Sequence, residues 1–227
     1  MTTWAEGTVV ANGIRIHYWR GPGRGRALVL QHGFGSNARC WHRVGRELAG
    51  EWDVIMPDAR GHGLTEAPPD GYNPSVMGAD LAAFCAALEL DAPIVLGHSM
   101  GGSMVTALAA EHPGVAGAII PVDPAWFDEL PLSPSERNEA LERRAMTREQ
   151  LLALLDEIHP TWCAEDRDAW AESRQQISVE AATQVLAGIG RDWRADVRRF
   201  GCPALLVTAD VALGGIVTPD VAAEAQR

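Results

Sequence analysis

Residues Ile94-Val95-Leu96 run into Gly97-His98-Ser99-Met100-Gly101-Gly102, an apolar strand-like run leading into G-x-S-x-G and a helix-like stretch. A serine set between small residues at a strand-to-helix turn can be held on a sharp, strained bend that lifts its hydroxyl clear of the sheet. The chemistry this serves is attack by Ser99 on a carbonyl carbon. The helix that follows brings partial positive charge to the place where an oxyanion would form. A second cluster, Gln31-His32-Gly33-Phe34-Gly35-Ser36, also follows an apolar run. Glycines there allow close backbone approach, so the Phe34 and Met100 amides are the expected pair of oxyanion donors. A bare G-x-S-x-G is common, and a Gly-rich turn alone is as often structural. The strand before and the helix after are what favour the functional reading.

These residues need elements to hold them. Thr8-Val9-Val10 and Ile14-Arg15-Ile16-His17-Tyr18 alternate like paired antiparallel strands, with Asn12-Gly13 as the turn. The stretches 27–30, 53–56, 94–96 and 118–122 are apolar runs of the kind that form strands covered on both faces. Helical patterns at 75–90 and 102–111 lie between them, which predicts an α/β fold with a mostly parallel sheet flanked by helices. From about 133 to 199 the pattern is charged and helical, and Thr147-Arg148-Glu149-Gln150 has the form of a capping box. Apolar character resumes at Pro203-Ala204-Leu205-Leu206-Val207-Thr208, and Thr218-Pro219-Asp220 marks a helix start.

With Asp58-Ala59-Arg60-Gly61-His62-Gly63 added to the two motifs above, the chain resembles the α/β-hydrolase family over nearly its whole length. The resemblance implies an α/β-hydrolase core over 1–123 and 200–227, with a helical cap inserted at 124–199. It implies that Ser99 is the nucleophile and that the D-x-R-G-H-G loop is structural, with His62 a hydrogen-bonded loop residue. For the acid of the triad it offers two positions. Asp210 follows the seventh strand, the commoner place; Asp123 ends the sixth. The family's histidine comes last in the chain, but here none follows His159. The resemblance therefore implies a C-terminally truncated hydrolase that lacks its last strand and helix and is impaired in catalysis. His159 would substitute only if the cap folded it over Ser99. Losing a triad member typically removes about 10⁴–10⁶-fold of rate.

Composition narrows the function. The 227 residues carry a formal charge of −11, and all 19 basic residues are arginine. The absence of lysine excludes Schiff-base and P-loop chemistry. An acidic chain without a basic cluster is not expected to bind nucleic acid or an anionic membrane. Neither a membrane-length apolar run nor a leader-like start is evident, which predicts a cytoplasmic protein. Cys40, Cys85, Cys163 and Cys202 form no C-x-x-C pair, and the histidines form no H-E-x-x-H, so neither metal nor cofactor is expected.

The expected activity is hydrolysis of a small to medium apolar ester or lactone through an acyl-serine, with Trp126 and Phe127 lining the substrate site. Packing between cap and sheet is the plainer role for any single tryptophan. Ser99 at the elbow excludes an aspartate-nucleophile dehalogenase. The rival expectations are an inactive or receptor-like ligand-binding homologue, or a non-functional truncated product. An exposed apolar edge at 204–208 would favour homodimerisation.

Overall fold

Two adjacent residues with positive φ, Asn12 (48°) and Gly13 (78°), turn the chain between β1 (Ala5–Ala11) and β2 (Ile14–Arg20). This is the turn type whose twist matches an antiparallel pair, and the two strands pair along their whole length. The computed structural model describes residues 3–127, 134–188 and 190–226. Beyond the hairpin come β3 (Ala27–Gln31), α1 (His42–Leu48), β4 (Asp53–Pro57), α2 (Pro74–Ala87), β5 (Ile94–His98), α3 (Met100–Glu111) and β6 (Ala118–Val122). Among the described residues they form a six-stranded sheet in the order β1-β2-β4-β3-β5-β6. β2 runs antiparallel to β4, and β4, β3, β5 and β6 run parallel.

β3 and β4 behave as two-sided strands should, whereas β5 and β6 alternate buried with half-buried residues. Val29, Leu30, Val54, Ile55, Met56, Val95 and Ile119 are fully buried. One face packs on α2 and α3 through Met77, Leu81, Phe84, Met104 and Leu108. The other packs beneath Trp4, Trp41 and Leu48. Each such side chain contributes about 1.5–3 kcal/mol on burial, so the sheet is anchored from both sides. The register sets Gln31 beside Gly97, and Gly97 beside Pro121. The carboxyl ends of β3, β5 and β6 thus share one rim, where open α/β sheets bind ligands.

After β6 the chain is helical: α4 (Pro134–Ala145), α5 (Arg148–Ile158), α6 (Ala164–Gln176), α7 (Val179–Gly188) and α8 (Trp193–Val197). Residues 128–133 and 189 of the expected cap stretch lie outside the described residues. The capping box forms, with the Gln150 amide donating to Thr147 Oγ1 (3.3 Å) and the Thr147 amide to Gln150 Oε1 (2.8 Å). Helix α6 is tied to the chain after β3 by Arg39–Glu172, Arg43–Asp166 and Arg46–Glu165, and by Asn37 Nδ2 donating to Gln176 Oε1 at 2.9 Å.

The segment expected as a seventh strand reaches β6 but pairs with it only by two isolated parallel bridges, Ile119 to Ala204 and Val122 to Val207. Leu205 donates to Ile119 O (3.0 Å) and Val207 to Pro121 O (2.9 Å). Its other edge has no partner strand among the described residues, and Leu205 remains 59% exposed. Pairing on a single side leaves the segment less regular than the strands inside the sheet. Helix α9 (Pro219–Ala225) follows, with Thr218 Oγ1 accepting from the Val221 amide at 3.3 Å.

Candidate active site

Ser99 sits between β5 and α3 with φ 52° and ψ −115°, a backbone state that side-chain-bearing residues rarely adopt. The bend is held from outside. The Ser99 amide donates to Val122 O at 3.0 Å, and its carbonyl accepts from the Ser103 and Ala125 amides at 3.1 Å each. The flanking glycines are required by contact. A Cβ on Gly97 would lie 2.1 Å from Gly101 O, and one on Gly101 would lie 2.6 Å from the carbonyl oxygens of both Gln31 and His32. The end of β3 is therefore packed on the first turn of α3. A Cβ on Gly33 would come within 3.3 Å of Ser99 Cβ, which brings the 32–36 loop directly against the elbow. Among the described residues the Phe34 and Met100 amides make no hydrogen bond, so both donors are free.

Ser99 and Phe34 open into a cavity of about 800 Å³, within the size range of small-molecule sites. The cavity also exposes Arg43, Arg46, Arg143 and Arg174, with Glu47 and Asp166 as its carboxylates. Trp162 and Trp170 contribute aromatic wall. This lining is more charged than an apolar ester site would need.

Two histidines, His98 and His159, reach the same cavity. His159 lies at the end of α5 and stacks on Trp162, ring centroids 4.5 Å apart. Neither is hydrogen-bonded to Ser99 among the described residues. The other five are occupied elsewhere. His17 Nδ1 is 2.7 Å from Asp58 Oδ2 and its Nε2 is 3.1 Å from Glu6. Burial opposes the His17 charge, but Asp58 and Glu6 outweigh it and raise its pKa. His32 has one ring nitrogen at Gly33 O (2.8 Å), while the other accepts from the Ala59 amide (2.9 Å). Its burial pulls the pKa down and keeps it neutral. His62 is within 2.9 Å of Arg60 O, and burial with His32 alongside pushes it down to about 3. His42 stacks on Trp4, and His112 ends α3.

The two candidate acids have different surroundings. Asp123 has φ 41° and is buried directly after β6, one residue beyond the carbonyl that holds Ser99. Its carboxylate accepts from the Ile216 amide (2.9 and 3.0 Å) and the Val217 amide (2.9 Å). Asp210 is exposed, and its side chain accepts from the Ala212 amide at 2.9 Å, closing a surface turn. Trp126 and Phe127, the expected substrate contacts, are not among the residues lining the Ser99 cavity. Trp126 is buried, donates from Nε1 to Thr106 Oγ1 at 3.0 Å and stacks on Trp193 with centroids 4.9 Å apart. It serves the packing of α8 on α3. Arg143 and Arg174 had no local sequence signal, since they lie on separate helices and meet only through the fold.

A family model described as alpha/beta hydrolase fold matches residues 26–153. The chain belongs to this family. Among characterised relatives it is similar to N-formylmaleamate deformylase of Pseudomonas putida, 43% identical over 122 residues, covering 53% of this chain and 45% of that protein. It is also similar to 2-(acetamidomethylene)succinate hydrolase of Mesorhizobium japonicum, 29% identical over 132 residues, covering 58% of this chain and 46% of that protein. The matched stretches thus span a little under half the length of these relatives. Among solved structures, an N-formylmaleamic acid deformylase from Pseudomonas putida superposes with TM-score 0.84 at 30% identity, covering 97% of this chain and 87% of that one. The enol-lactonase of Burkholderia xenovorans gives 0.73 at 25%, covering 96% and 86%. These α/β-hydrolase relatives support a hydrolytic activity. Among the described residues no helix is long and apolar enough to cross a membrane, and no cluster of metal-binding side chains occurs.

Proposed function

We propose that the chain is a serine hydrolase in which Ser99 attacks the carbonyl of a small ester, lactone or N-acyl compound. The observation that carries this is the strained Ser99 backbone at the sheet rim with the free Phe34 and Met100 amides beside it. Ser99 Oγ adds to the carbonyl, and the two amides receive the negative charge that develops on its oxygen. Collapse expels the alcohol or amine and leaves an acyl-serine, which water then hydrolyses. The N-acyl class is included because relatives are named as a deformylase and an (acetamidomethylene)succinate hydrolase. The apolar ester expected from the sequence gives way here to a more polar substrate, because four arginines face the cavity.

Asp123 is the better acid of the two, being buried beside the elbow while Asp210 closes an exposed turn. The Ser99 proton falls to one of the imidazoles that open on the cavity, His98 or His159. Among the described residues neither is in hydrogen-bond contact with Ser99. An oxyanion hole and binding alone still give roughly 10³–10⁴-fold over water.

Time-resolved labelling with a fluorophosphonate probe tests this. Stoichiometric labelling, lost in Ser99→Ala, is expected. His98→Ala and His159→Ala assign the base by whichever slows labelling tenfold or more. A wild-type chain that takes up no probe refutes the hydrolase and leaves the ligand-binding homologue.

A further inference from the structure

The four cavity arginines are not equivalent. Arg43 is paired with Asp166 and Arg46 with Glu165, so the charge of each is matched by a carboxylate. Arg143 and Arg174 both lie over the Trp170 ring, their guanidinium carbons 5.7 and 4.8 Å from the indole centroid. Among the described residues Arg143 has one ion-pair partner, the half-exposed Glu139 on its own helix. Arg174 donates from Nη1 to Gly35 O and faces no carboxylate within ion-pair reach among the described residues. The Nε of each is buried without a hydrogen-bond partner. Both residues also line a second, smaller cavity of about 180 Å³ that shares Phe34 with the first. They stand at the partition between the two spaces.

Two guanidiniums around one indole, with an acid on only one of them, form an incomplete arrangement. Burial and the like charge of Arg143 pull the Arg174 pKa down to about 10, the direction that an anion bound in the cavity beside them would reverse. The chain as a whole carries −11, so general surface charge does not account for this local positive excess. A planar guanidinium fork is suited to a carboxylate, which accepts two parallel hydrogen bonds. Bracing Gly35 uses one of the five N–H groups of Arg174 and leaves the others available.

We propose that Arg143 and Arg174 form a carboxylate-binding subsite, and that the substrate cleaved at Ser99 carries a free carboxylate near its reacting carbonyl. The second clause rests on Ser99 being the nucleophile; the first does not. Proximity follows from the loop, because the Gly35 carbonyl that holds Arg174 belongs to the residue after Phe34.

Titration calorimetry with succinamate and its neutral isostere succinamide tests the subsite without turnover. In the wild-type chain the acid binds about 10- to 100-fold tighter than the amide, as expected for charge-assisted hydrogen bonds. The preference persists in Ser99→Ala, which separates the subsite from the nucleophile. It falls at least fivefold in Arg143→Gln and in Arg174→Gln. Arg143→Gln keeps the test sound if Arg174→Gln loosens the Gly35 loop. Equal affinity for the two compounds in the wild type overturns the proposal. So does a preference that survives in both arginine variants, or the absence of binding of either compound at millimolar concentration.

Discussion

Gly101→Ala perturbs the site through a single methyl group. That carbon would lie 2.6 Å from the carbonyl oxygens of Gln31 and His32, where ordinary contact begins near 3.4 Å. Either the end of β3 retreats from α3 by somewhat under an ångström, or the first turn of α3 tips away. Both movements separate the Phe34 amide from the Met100 amide. Overpacking of this kind typically costs about 1–3 kcal/mol. For a chain of this length each kcal/mol lowers the melting temperature by roughly 2–4 °C. A fall of about 2–12 °C is therefore expected by differential scanning fluorimetry. The larger effect is on chemistry. Misplacing reacting groups by about 1 Å costs up to roughly 100-fold, and loss of one oxyanion donor costs about 10²–10³-fold. Fluorophosphonate labelling of Ser99 should slow by about 10- to 100-fold. Gly50→Ala is the control, since a Cβ there meets nothing within 4 Å. If Gly101→Ala labels within twofold of wild type at an unchanged melting temperature, contact between β3 and α3 does not set the site.

Four further outcomes follow from other parts of the structure. Asp58 accepts from His17 (2.7 Å), the Ala38 amide (2.7 Å) and the Leu64 amide (3.0 Å), so Asp58→Asn turns one acceptor into a donor facing donors; the melting temperature should fall by about 10 °C, and a fall under 3 °C would count against this bracing role. The His17–Asp58 pair also predicts a pH window. His17 is raised above its ordinary 6.5, so its contribution is complete below that value and is lost as pH climbs through the folded pKa. Asp58 is held below its ordinary 3.8, despite burial, by His17, nearby His32 and the Leu64 and Ala38 amides, so its contribution is present above that value and is lost as pH falls through the folded pKa. Stability measured by urea titration should peak between the two, and His17→Gln should flatten the alkaline side. Asp123→Asn should slow labelling at least tenfold while Asp210→Asn leaves it within twofold; the reverse order would return the acid to Asp210. The exposed apolar edge at Leu205 and Val207 predicts concentration-dependent association in analytical ultracentrifugation, abolished by a Leu205→Lys, Val207→Lys double variant.

The strands were legible because the parallel sheet imposes one requirement on all of them. A strand covered on both faces must be apolar throughout, as 27–30 and 54–56 are, and 94–96 and 118–122 are equally apolar although one face of each is only half-buried. Asn12-Gly13 and Thr147–Gln150 were legible because turn and cap chemistry is local. The elbow was legible in part for the same reason, since Gly97 is demanded by Gly101 four residues on, whereas Gly101 is demanded by Gln31 and His32 at the distant end of β3. The burial of Asp123 and the exposure of Asp210 were not legible, because the amides that hold Asp123 lie at 216 and 217, far along the chain. Trp126 follows β6 as a substrate-contacting aromatic would, yet Thr106 and Trp193 claim it from distant segments. Arg143 and Arg174 lie in a stretch legible only as charged and helical, and it is the fold that sets both against Trp170. What the sequence hid was long-range partnership.

Ser99 and Asp123 end neighbouring strands, and both hold positive φ without being glycine. Backbone in such regions costs about 1–3 kcal/mol per residue, against a total stability of order 5–15 kcal/mol for a domain. The rim is therefore the least comfortable part of an otherwise well-buried sheet. A library selected only for survival at high temperature has cheap gains there, by admitting Gly or Asn at positions 99 and 123, as it has at Glu89 and Ala92, which also hold positive φ. Sequencing the survivors would show Ser99, the proposed nucleophile, replaced while the core stays unchanged.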